Sequence, residues 1–268
     1  MDLGINGKVA IVTGASAGVG EAVAREFAAA GTKLVLTARG ANRLNAATDK
    51  LRNDTGADAI AVPIDVTESD AGERLVEQAK KHFGSVDIVI NNAGRAHPGG
   101  LMDNDDDAWK AMEDVKLHAM IRLNRAAIPA MRERGWGRIV NMSSVGGIYP
   151  NPKLLISHVL SAAINNLTRG LALEVAQHGI LVNAIGLGAI RTQNWEENMI
   201  PKVRQTRPDL ANLDDEELIA RVGAEYTPVG RFGTSEEIAA IAAFLASDRN
   251  GFVTGCTIEA SGGAERFF

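Results

Sequence analysis

The segment TGASAGVGEAVA sets Gly14, Gly18 and Gly20, with Ser16 and Val19 beside them, between a β-branched run and a helix-like stretch. Glycines there permit a sharp turn and a close backbone approach, and the free N–H groups of the following helix favour an anion such as a pyrophosphate. The next strand-like run, KLVLTARG, ends at Ala38-Arg39. An acidic residue at that strand end would accept from a ribose 2′-hydroxyl, whereas a guanidinium suits a 2′-phosphate. The residues therefore favour NADP(H) over NAD(H) as cofactor. The plainer alternatives are a structural glycine turn and a solvated Arg39.

The elements that must position these groups alternate along the chain. KVAIVTG, KLVLTAR, DAIAVPIDV, VDIVINNAG, GRIVNMSS and ILVNAIG are short, β-branched runs. Helical periodicity fills the gaps, including a helix around Trp109 to Arg134 and another over roughly Leu155 to His178. Continuous apolar strands separated by helices predict a parallel sheet covered on both faces: an α/β, Rossmann-like, doubly wound, three-layer α/β/α fold. No repeat or linker divides residues 1–268, so one domain is expected. The charged region 191–226 is long for a connection and is expected to be an irregular excursion serving as a substrate lid. Its Lys202, Arg204, Arg207 and Arg221 suit an anionic or bulky substrate.

Composition narrows the partners. The 268 residues are 46% hydrophobic and 4% aromatic, with 28 glycines, which suits small aliphatic packing with many tight turns. A formal net charge of −5 argues against nucleic acid or an anionic membrane as partner and leaves a small molecule as the expected ligand. One cysteine, Cys256, excludes an intrachain disulfide, and its strand-like surroundings predict a buried, inert thiol. With no signal-like or membrane-spanning segment, the expected location is cytoplasmic.

TGASAGVG, IDVT, NNAG, GRIVNMSS, GLGAIRT and the C-terminal PVGRFGTSEEIAAIAAFLASDRNGFVTGCTIEASGG, in that order, resemble the short-chain dehydrogenase/reductase family of the classical type, from about Lys8 to Gly263. The resemblance implies a nicotinamide-dependent oxidoreductase on a hydroxy or keto substrate, often a homotetramer, and Arg39 makes NADP(H) the expected cofactor. It places Asp65 and Val66 near the adenine, has Asn91, Ala93 and Gly94 lining the cofactor, and gives Ile190 and Thr192 to the carboxamide.

The catalytic end departs from that family. Its Ser, Tyr and Lys act together, with an upstream Asn supporting a proton relay; the Tyr donates a proton as hydride moves. Ser144 matches the Ser, but Ser157 and Ser161 stand where Tyr and Lys belong, and Lys116 stands where the Asn belongs. Tyr149 and Lys153 in YPNPK keep the spacing, yet Pro150 and Pro152 disfavour the helical turn that would align them. His158 titrates near neutrality but points about 100° from residue 157 on a helix, which suits a surface or interface histidine. His97 and His118 have no motif behind them. Leu187 replaces a usual proline near the nicotinamide. Three functions fit: a reductase in which Lys116, a histidine or the substrate manages the proton; a cofactor-binding subunit paired with an active paralogue; and a non-redox enzyme reusing the cleft.

Overall fold

The computed structural model describes residues 2–264, so both ends of the expected 1–268 unit, Met1 and residues 265–268, lie outside the described residues. Seven parallel strands form one sheet in the order β3-β2-β1-β4-β5-β6-β7. They are β1 (Val9–Thr13), β2 (Lys33–Thr37), β3 (Ala59–Ala61), β4 (Ile88–Asn91), β5 (Gly137–Ser144), β6 (Ile180–Leu187) and β7 (Thr257–Ala260). The register runs Ile11 beside Val35 and Val89, then Val89 beside Ile139 and Ile139 beside Val182.

Alternate residues of each strand enter opposite layers. Ala10, Val12, Ile90 and Val140 pack with α1 (Gly18–Ala29), α2 (Ala41–Thr55) and α9 (Ser235–Leu245), where Phe27 is fully buried. Val9, Ile11, Val89 and Ile139 pack with α3 (Ala71–Phe83), α5 (Ala119–Arg134) and α6 (Leu155–Val175). This double coverage is why the strands are continuously apolar rather than alternating. Burial of each large aliphatic or aromatic side chain contributes about 1.5–3 kcal/mol.

The chain proceeds from β1 outward to β3, then returns to place β4 on the other side of β1. That reversal opens a crevice beyond the C-terminal ends of β1 and β4, the customary ligand position in such sheets. The glycine turn follows β1 and NNAG completes β4, so both border it.

Three elements differ from expectation. The helix around Trp109 to Arg134 is α4 (Asp106–Glu113) and α5, joined by a π-helical turn over Asp114–His118 that carries Lys116. The region 191–226 is regular: α7 (Gln193–Thr206) and α8 (Asp215–Tyr226) enclose a small core of Ile200, Leu210, Leu218, Ile219, Val222 and Phe232. Its charges obscure apolar residues spaced three or four apart, as in Leu218, Ile219 and Val222. Cys256 is exposed, because β7 begins one residue later and the preceding residues form an irregular loop.

Candidate functional site

The glycine turn is locked by a neighbour that sequence reasoning missed. Asn92 Nδ2 donates to Thr13 O at 2.9 Å and Gly14 O at 3.2 Å. In return Thr13 Oγ1 accepts the N–H groups of Asn92 and Ala93, each at 2.9 Å. A Cβ on Gly20 would fall 2.3 Å from Gly14 O and 2.5 Å from Asn92 Nδ2, so only glycine lets α1 pack this close. Gly14 and Gly18 have φ of +66° and +57°, the left-handed region that glycine tolerates. Ala17 precedes α1 without a side-chain cap, leaving the helix's first N–H groups for an outside acceptor. This cradle fits a dinucleotide pyrophosphate. The signal for Asn92 was the second Asn of NNAG, which matters only once β4 is known to lie beside β1.

The other residues expected at the cofactor complete or follow the strands on the same side of the sheet. Arg39 is exposed just beyond β2. Asp65 Oδ1 accepts Thr67 N and Thr67 Oγ1 at 3.0 and 2.8 Å. Burial pushes the Asp65 carboxyl up, but those bonds and the Arg39 charge outweigh it and hold the group below its ordinary value. Val66, Asn91, Ala93 and Lys116 contribute to a cavity of about 10 Å³, room for about one water. Asn91 spends its amide nitrogen inside the fold, donating to Asn124 Oδ1 and Asn141 Oδ1 at 2.9 Å each. Ile190 pairs with Gly233, and Thr192 caps α7 by accepting Trp195 N–H at 3.2 Å. Leu187 completes β6, in register with Ser144 and Ala260.

At the other end, Lys116 lays its stem against Gly94, with Cγ 3.4 Å from where a Cβ would stand. Its Nζ donates to Ser157 O and Ser161 Oγ, both at 3.4 Å. The ammonium has no carboxylate partner among the described residues, and burial pushes its pKa down to about 8. A lysine from the π-helical turn therefore reaches residue 161, although 161 itself is serine.

Ser157 is not an open replacement for a phenol. It is 4% exposed, and its Oγ accepts the His97 N–H at 2.7 Å. The segment from His97 onward runs along the start of α6: Gly99 N donates to Lys153 O and Leu155 N to Gly99 O. The His97 ring is held by Asn104 Oδ1 at 2.7 Å. Ser161 is fully buried and donates to Ser157 O at 2.7 Å. Ser144 Oγ accepts Gly146 N–H at 3.1 Å, which leaves its proton for a substrate oxygen.

His158 is 9% exposed, against the expectation of a surface position. Its Nδ1 accepts Asn151 N–H at 2.8 Å, and its ring lies against Gly146. It braces the loop after Ser144, and the reason is that α6 turns this side toward that loop. His118 is exposed and paired with Asp114 at 3.0 Å. Tyr149 and Lys153 both precede α6 and share no helical face.

The lid cations are largely neutralised. Arg204 pairs with Asp215 at 2.7 Å, Arg207 with Asp209 and Glu225 at 2.8 and 2.9 Å, and Arg221 with Glu225 at 3.6 Å; Lys202 is exposed. Three of the four basic groups thus lose the free charge that an anionic substrate would require.

A family model described as enoyl-(acyl carrier protein) reductase matches residues 14–265. The chain is 35% identical over 263 residues to the 3-oxoacyl-acyl-carrier-protein reductase FabG of Escherichia coli, covering 97% of this chain and 98% of that protein. It is 32% identical over 257 residues to D-beta-hydroxybutyrate dehydrogenase of Rhizobium meliloti, covering 96% and 98% respectively. Among solved structures, L-sorbose reductase from Gluconobacter frateurii, complexed with NADPH and L-sorbose, superposes with a TM-score of 0.93 at 33% identity, covering 100% of both chains.

Proposed function

Because the chain belongs to the short-chain dehydrogenase/reductase family, we propose that it is an NADP(H)-dependent oxidoreductase of a small hydroxy or keto compound in which Lys116 handles the proton. The observation that carries this reading is the Lys116 ammonium at Ser161, beside Gly94 of the NNAG segment. The relatives support the substrate class, since their names describe a 3-oxoacyl reductase, a hydroxybutyrate dehydrogenase and a sorbose reductase.

The glycine turn and α1 would hold the pyrophosphate of NADP(H), and Arg39 would pair with its 2′-phosphate. The chemistry that NADPH would supply there is a hydride for the carbonyl carbon. Ser144 orients the carbonyl oxygen through its free hydroxyl proton, and Lys116 delivers the proton that the oxygen needs as the carbon is reduced. A pKa of about 8 lets the amine carry that proton at neutral pH and recover it from solvent. Region 191–226, with its own core, acts as the lid of one domain.

The sealed position of Ser157 favours a second reading, a cofactor-binding subunit paired with an active paralogue. Assembly in either case uses outward apolar groups such as Val159 and Leu173 of α6, which are 45% and 80% exposed, and gives a homo- or hetero-oligomer. The setting is cytoplasmic; among the described residues no helix is long and apolar enough to cross a membrane.

The test is NADPH titration by nicotinamide fluorescence, then NADPH oxidation with a panel of 3-keto esters and ketoses. Turnover that depends on Lys116 supports the reductase. Binding without turnover, together with co-purification of a partner bearing Tyr and Lys at the matching positions, supports the subunit. Absence of binding removes both.

A further inference from the structure

Arg43 and Gln193 are 150 positions apart, yet Arg43 Nη2 donates to Gln193 Oε1 at 2.8 Å. Arg43 lies in the first turn of α2, just after Arg39 and Gly40, while Gln193 opens α7 directly after Thr192. The Thr192 methyl is in turn 3.7 Å from the position a Gly18 Cβ would take. The base of the lid is therefore bonded to the helix that follows β2, and it passes beside the glycine turn. The NADP(H) of the reading above would lie along both.

The Arg43 end of this fastening is poorly matched. Arg43 has no carboxylate partner among the described residues, and it donates to a neutral amide oxygen. Gln193 uses its amide nitrogen elsewhere, donating to Glu197 Oε1 at 2.7 Å. The first turn of α2 contains no acid, and Gly40 supplies no side-chain cap. Arg39, Arg43 and the positive helix end thus add together with no carboxylate in that turn to offset them. A guanidinium on a neutral acceptor exchanges readily for a phosphate, whose charge and geometry allow a shorter, bidentate contact.

We propose that Arg43 is a second arginine for the 2′-phosphate of NADP(H), and that by leaving Gln193 for that phosphate it unfastens the base of the lid. The inference rests on the NADP(H) reading above. Its consequence is that NADPH, unlike NADH, changes the freedom of region 191–226 as it binds. Thr192 stays beside the glycine turn.

The test compares wild type with Arg43→Ala, Arg43→Lys, Gln193→Ala and Arg39→Ala, each first checked for an unchanged thermal melt. Dissociation constants for NADPH and NADH come from nicotinamide fluorescence, and trypsin cleavage within 191–226 reports the lid. Losing one charge-assisted contact raises the NADPH constant of Arg43→Ala about tenfold. Its NADH constant stays within about twofold of wild type, and Arg43→Lys falls between. NADPH accelerates cleavage of the wild-type lid and NADH does not, whereas Arg43→Ala and Gln193→Ala are cleaved rapidly with or without cofactor. An unchanged NADPH/NADH ratio in Arg43→Ala, with that ratio lost in Arg39→Ala, overturns the role of Arg43 and leaves the NADP(H) reading intact. Wild-type protein that shows no preference for NADPH overturns both.

Discussion

Lys116 Nζ stands 3.4 Å from Ser161 Oγ, so the side chain of a π-helical turn on one side of the cleft ends at a serine on α6. If this amine donates the proton, Lys116→Met lowers reductive turnover by about 100-fold or more while the NADPH dissociation constant changes little. The pH profile gives a second check. Protonated Lys116 declines as pH rises through about 8, so reduction falls above that value and alcohol oxidation rises. A flat reductive profile between pH 7 and about 9.5 would assign the proton to another source.

Restoring Ser157→Tyr and Ser161→Lys together does not restore a family-like site in this background. Ser157 is sealed under the His97 backbone, so a phenol must displace the 97–100 segment, an overpacking cost of about 1–3 kcal/mol. A lysine at 161 would also meet the Lys116 ammonium, with the two charges competing for the same desolvated space. Adding Lys116→Asn removes the second conflict. Turnover with a keto substrate is therefore greater in the triple variant than in the double, and equal rates would show that the two lysines do not meet.

The sheet was legible because each strand is a short β-branched run closed by glycine or a helix, and burial on both faces needs no other pattern. Gly14, Gly18 and Gly20 were legible for the same local reason. The contacts around Lys116 and Ser157 were not. Lys116 is brought to Ser161 by a helix crossing, and Ser157 is covered by a segment about 60 positions away, so neither relation leaves a sequence period. Cys256 misled because an apolar run just before an edge strand reads like the strand itself, and α7 and α8 were hidden by charges pairing within their own segment.

His158 gives the loop after Ser144 an acid-sensitive brace. Its Nδ1 must be unprotonated to accept the Asn151 N–H. Burial, and after it the Lys116 charge, holds the imidazole below its ordinary 6.5. As pH falls, the unfolded chain takes the proton first, so the contribution is full above about 6.5 and is lost as pH drops through the folded value. Wild type thus melts above His158→Leu at pH 7.5, with the difference shrinking toward about pH 5. Gly146→Ala is destabilising at every pH, because its Cβ would stand 2.1 Å from His158 Cδ2. A pH-independent gap between wild type and His158→Leu would reduce the role of this histidine to packing.

Lys116 also carries a cost in stability. Burial lowers its pKa from 10.5 to about 8, so between those values the unfolded chain holds more protons than the folded one. Stability from this group therefore rises with pH across that window, and below about 8 the full penalty of a desolvated ammonium is present. Methionine keeps much of the stem and removes the charge. Lys116→Met consequently melts higher than wild type at pH 7, and the two converge as pH climbs from 8 toward 10.5. Thermal melts of both proteins across that range check the sign, since other titrating groups cancel in the difference. A variant that melts lower at pH 7 would mean that the bonds to Ser157 O and Ser161 Oγ outweigh the desolvation of the amine.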